Sequence, residues 1–157
     1  MNTLISTVRL QQLAFGSGEP LPPDTFSEAD IAAAEERYLV PVIGRKLHER
    51  LLAGEYASLC DDYLARPLAL FTRLLIQPRL DIRTSSCGTS APDTSWNQPP
   101  SDEALRRQCR ALRTQARMLL RRAVKYLEDH RDEFPEYQPD DNILKRCTID
   151  GGFVEIR

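Results

Sequence analysis

Between Ser101 and Arg131 apolar and aromatic residues recur at alternating steps of four and three: Leu105, Cys109, Leu112, Ala116, Leu119, Ala123, Tyr126 and His130. That spacing is an a/d stripe uninterrupted by Gly or Pro, and it predicts one long helix over 101–131 with a narrow apolar seam. Thirty residues rising ~1.5 Å each reach about 45 Å. A helix of that length is not stable in water with its seam uncovered, so other parts of the chain, or other copies of it, must cover it. The 157 residues fit one domain with a real core. The expected fold is therefore mainly α: a single helical domain, 1–157, built as a bundle around the long C-terminal helix.

The other elements follow from caps and breakers. The N-terminal segment, 1–25, holds a short helix or strand through Leu4, Ile5, Val8, Leu10 and Leu13, then the loop GSGEPLPPD. Ser27 reads as an N-cap with Asp30 at N3, and Phe26 is placed to staple onto Ile31. Pro41 is expected to end that helix, because proline lacks an amide hydrogen and restricts Val40. A second helix is expected over 43–53, with Gly54 as its C-cap. A third starts near Glu55 and meets Pro67, which either kinks it or opens a fourth helix over 67–76; Pro78 is expected to stop that one. Residues 79–84 alternate polar and apolar, like a half-buried strand. The tail, 147–156, reads as a hairpin turning at Asp150-Gly151, and pairing it with 79–84 would make a small antiparallel β element. Residues 84–100 form a long Ser-, Thr- and Pro-rich loop around Trp96, the single tryptophan. Trp96 is either a core plug or an interface anchor.

Nothing in the chain has the spacing of a catalytic or metal centre. His48 and His130 fall on different helices, neither in an HExxH context, and His48 beside Glu49 suggests a polar helix face. The pairs Glu35-Glu36, Asp61-Asp62 and Asp140-Asp141 point about 100° apart on a helix and do not converge on one atom. The run Ser85 to Ser90 lacks the lysine and the spacing of a phosphate loop. Cys60, Cys87, Cys109 and Cys147 have neither metal nor redox spacing, which suits free thiols in a reducing cytoplasm. No secretory leader and no apolar run of membrane-spanning length is visible. The expectation is a protein that is not an enzyme, binds no metal or cofactor, is cytoplasmic and makes no use of a membrane.

Charge is the sharpest remaining signal. Net charge is −2, yet residues 105–125 carry eight basic side chains and no acidic one, while 128–141 carry seven acidic ones. The candidate surface is Arg106, Arg110, Arg113, Arg117 and Arg121, with Trp96 as a possible companion. A basic helix can lie along phosphates. It can equally be a solvated face, or meet an acidic neighbour in self-assembly. No aromatic residue interleaves with these arginines before Tyr126, so base stacking is not indicated.

The run Ala34-Glu35-Glu36-Arg37-Tyr38-Leu39-Val40-Pro41-Val42-Ile43-Gly44-Arg45-Lys46-Leu47 resembles a motif of prophage-encoded proteins from bacteroidetes. Pro67-Leu68-Ala69-Leu70-Phe71, Leu80-Asp81-Ile82-Arg83 and Phe134-Pro135-Glu136-Tyr137 fit the same order. That family in turn resembles the head–tail connector, or head-completion, proteins of tailed phages, over residues 26–137 here. The Ser/Pro loop around Trp96 departs from the pattern. The resemblance implies a helical adaptor without turnover: a homo-oligomeric ring beneath the portal, touching portal and tail proteins, with non-specific DNA contact in a channel. A helical nucleic-acid-binding protein using the basic face is the alternative.

Overall fold

The computed structural model describes residues 2–16, 25–81, 83–85, 88–90, 101–150 and 153–156. In chain order they form α1 (Thr7–Ala14), α2 (Glu28–Ala34), α3 (Val40–Ile43), α4 (Arg45–Leu52), α5 (Ala57–Leu59), α6 (Ala65–Asp81), β1 (Arg83–Ser85), β2 (Gly88–Ser90), α7 (Asp102–Asp129), α8 (Ile143–Arg146), β3 (Cys147–Asp150) and β4 (Phe153–Ile156). The protein is mainly helical, with the long helix α7 toward its C-terminus.

The centre of the bundle is α6. Leu68, Ala69, Leu70, Phe71 and Thr72 are all buried, so this stretch is covered on every side. Its one polar side chain, Thr72, is satisfied by donating to the Leu68 carbonyl at 2.9 Å. Packed on α6 are α1, α2 and α7. Tyr63, just before α6, stacks on Tyr126 near the end of α7 at 4.2 Å, so the two helices run antiparallel. With 28 residues α7 is about 42 Å long, against about 26 Å for the 17 residues of α6. The N-terminal part of α7 therefore extends past its main partner.

Two prolines, Pro41 and Pro78, do not end their helices as expected, and π turns accommodate Pro41 and Pro67. Pro41 does not end its helix; the chain passes from α2 through a wide π turn, Glu35–Leu39, into α3 and stops at Gly44, whose φ of 86° favours a residue without Cβ. Pro67 likewise follows a π turn, Cys60–Leu64, that leads from α5 into α6 without a break. In a regular helix each proline ring would strike the carbonyl four residues back, on Arg37 or Tyr63. Both carbonyls lie in the widened turns, where the Val40 amide reaches back to the Glu35 carbonyl and the Ala65 amide to the Cys60 carbonyl. Pro78 does not stop α6, which runs on to Asp81 and takes in residues 79–81 of the expected strand.

The β structure is two separate two-stranded ladders, Arg83–Ser85 with Gly88–Ser90 and Cys147–Asp150 with Phe153–Ile156. The tail is thus not paired with 79–84 among the described residues, and the expected single β element is not formed. The hydrogen bonds of residues 83–85 are instead taken by the nearer strand, which closes a far shorter loop.

At the start of α2 the Asp30 carboxylate accepts from the Ser27 amide at 2.8 Å and the Ser27 hydroxyl at 3.0 Å. Arg79, at the far end of α6, donates to the same carboxylate at 2.8 and 3.2 Å and to the Thr25 carbonyl at 2.9 Å. Burial pushes the Asp30 carboxyl up, but the bonds from Arg79 and Ser27 outweigh it and hold it below its usual value. Its contribution to stability is then complete above the unfolded carboxyl's pKa and is lost as pH falls through the folded one. Asp30→Asn should cost about 1 kcal/mol at neutral pH and flatten the acid limb of the stability curve, measured by urea denaturation across pH.

Candidate interaction surface on the long helix

At 100° per residue, Arg106, Arg110, Arg113, Arg117 and Arg121 fall within an arc of about 80° along roughly 22 Å of α7. All five are exposed, and none makes an ion pair within the described residues. They line one flank of the seam. The other basic residues of the run are turned elsewhere: Arg107 pairs with Glu103 at 3.1 Å, and Arg122 sits 5.1 Å over the Tyr63 ring. Ala104, Gln108, Ala111, Gln115 and Met118 occupy the opposite flank, exposed and uncharged. Near the start of α7, Asp102, Glu103, Arg106, Arg107 and Arg110 border an open recess of about 460 Å³.

The seam beneath the stripe is broader and more one-ended than the a/d reading. Ala116, Leu120, Ala123, Val124 and Leu127 are buried, whereas Leu105, Cys109, Leu112 and Leu119 are only half-buried. A straight helix drifts away from a 3.5-residue repeat, so the covered face of α7 widens to include 120, 124 and 127. Toward the N-terminus the covering from α6 runs out. Trp96 and Cys87 lie outside the described residues.

Negative charge is gathered at the other end. Asp129, Asp132 and Glu133 are exposed, and Arg131 is the single Lys or Arg between 126 and 144. Beneath them Tyr126 stacks between Tyr63 and His130, with centroids 4.2 Å away in each case. Burial, and then the charges of Glu133 and Asp62, hold the Tyr126 phenol above its usual range. Glu136 and Glu128 are used within the chain: Glu136 accepts from the Tyr56 hydroxyl at 3.1 Å and pairs with Arg50 at 3.4 Å, and Glu128 pairs with Lys145.

His48 is not on a polar face. It is 5 % exposed, its Nε2 lies 2.9 Å from Glu35 Oε2, and Glu35 is 2 % exposed. The other Glu35 oxygen accepts the Leu4 amide at 2.8 Å, and the Cys60 thiol donates to the Leu4 carbonyl at 3.7 Å. The π turn rotates Glu35 inward, and the Gly44 bend folds α4 back so that His48 meets it. Neither event has a signature in sequence spacing. The group is a clamp on the N-terminal segment. Burial, then the charge of Asp61, pushes the Cys60 thiol up to about 11, which disfavours the nucleophilic thiolate. Iodoacetamide at pH 8 should therefore label half-buried Cys109 well before Cys60, read by peptide mass mapping of the native protein.

Among the described residues no cluster of three His, Cys, Asp or Glu side chains is arranged to hold a metal ion. No described helix is long and apolar enough to cross a membrane. Fold and surface together define a helical protein whose most prominent feature is a one-sided basic helix. Residues 30–146 match a family of unknown function, DUF6712, and the chain belongs to that family. No curated protein and no solved structure matches it.

Proposed function

We propose that this protein is a structural adaptor subunit of the head–tail connector kind, a cytoplasmic protein that becomes part of a phage virion as a ring beneath the portal. The observation that carries the reading is the arginine stripe: five exposed guanidinium groups in one line along α7, unneutralised within the described chain. A lone soluble domain gains nothing from a self-repelling row of like charge. A subunit whose neighbours or channel contents supply the counter-charge does. The resemblance of residues 34–47 and 134–137 to prophage connector-like proteins points the same way.

The test is co-expression with phage portal and tail proteins encoded in the same genome, followed by affinity isolation and electron microscopy. A ring coaxial with the portal is the expected result. A chain that ignores portal and tail proteins while binding duplex DNA as a monomer would replace this reading with the nucleic-acid one, which the same stripe favours. In that case five phosphate contacts would give a slope of about −4.5 in log K against log salt, by fluorescence anisotropy.

A further inference from the structure

We infer that the arginine stripe of one copy receives the acidic end of α7 from a second copy, so that the chain associates head to tail. The inference rests on the adaptor reading and names its contact. The stripe is charged, linear and exposed, and half-buried Leu105, Cys109 and Leu112 beside it supply apolar surface that a partner would finish covering. The surface that fits it is on the same molecule. Asp129, Asp132 and Glu133 stand exposed at and just past the end of α7, and Asp62, in the turn before α6, is near enough for its charge, like that of Glu133, to act on Tyr126. Clustered carboxylates are what a guanidinium binds best, through paired bonds at its planar edge.

The two surfaces cannot meet within one copy. From Arg113 to Arg131 the chain runs 18 residues, so the centres of stripe and acidic end are about 27 Å apart along the helix direction. The contact is therefore heterologous, one surface type against the other. Such contacts close into a ring when the rotation between copies divides the circle and otherwise continue as a filament.

The test uses the full chain alone, in sedimentation velocity at low and physiological ionic strength. One variant reverses the stripe, Arg110→Glu/Arg113→Glu/Arg117→Glu. A second reverses the acidic end, Asp129→Lys/Asp132→Lys/Glu133→Lys. All six positions are exposed, and circular dichroism should show both variants folded. Wild type should associate, less so with added salt. Each variant alone should lose association by about tenfold or more. Mixed in equal amounts they should reassociate, because each reversed surface then faces a complementary one. Wild type that stays monomeric, variants that associate like wild type, or a folded mixture that stays monomeric would each overturn the contact. If the stripe-reversed variant still joins portal, the adaptor reading stands without this contact. If wild type associates by charge-swap rules but ignores portal, the contact stands and the adaptor reading falls.

Discussion

Leu127→Ala should lower the stability of this protein by about 2–5 kcal/mol, and Leu120→Ala by a similar amount. Both side chains are buried on α7, Leu127 at 0 % exposure and Leu120 at 2 %. Truncation there removes the transfer free energy and leaves a cavity lined by helices that cannot close over it. Leu112→Ala and Leu119→Ala are the controls. They belong to the apolar repeat but are half-buried, so each should cost nearer about 1 kcal/mol in the monomer. Urea denaturation of the four variants ranks them. Equal losses at 112 and 127 would mean that the N-terminal half of α7 is covered as thoroughly as the C-terminal half. A loss at 112 that grows with protein concentration would instead show that another copy covers it.

Glu35→Ala is the second large effect, at roughly 3–5 kcal/mol. It strands two polar groups at once, the buried His48 ring nitrogen and the half-buried Leu4 amide. Glu35→Gln is the discriminating partner. Its amide can donate to His48 while its oxygen still accepts from Leu4, so it should lose far less. His48→Leu in the Glu35→Ala background should recover part of the loss, since an apolar pair leaves only the Leu4 amide unmet. Hydrogen exchange reads the clamp directly: the Leu4 amide should be slow in wild type and in Glu35→Gln, and fast in Glu35→Ala. A slow Leu4 amide in Glu35→Ala would show that the N-terminal segment is held by other contacts, such as Arg9 with Asp61 and Arg73 with the Ala14 carbonyl.

What was legible in the chain was what depends on near neighbours. The long helix followed from unbroken periodicity, and Ser27 with Asp30 and Gly54 announced their own caps. That the five arginines share one exposed flank of the helix was legible too, because charge spacing on one helix is a local property. Proline was misread at positions 41 and 78, where a widened turn and continued packing overrule the local rule. The seam was read too narrow by Leu120, Val124 and Leu127, because a straight helix drifts from an exact heptad. Glu35 and His48 were invisible as a pair: their meeting depends on a π turn and a glycine bend between them, and no linear pattern encodes that sum.

The π turn at Glu35–Leu39 bears on chain length as well as on shape. A π turn holds one residue more than the α-helical path between the same two ends, and that surplus turns everything after it by about 100°. Deleting one residue there would not merely shorten the helix. It would restore regular winding, bring the Pro41 ring against a carbonyl, and rotate Glu35 out of register with His48. Insertions and deletions should therefore be tolerated poorly between residues 35 and 41, although substitutions on the exposed side of the same turn, at Glu36 or Arg37, should pass with little effect.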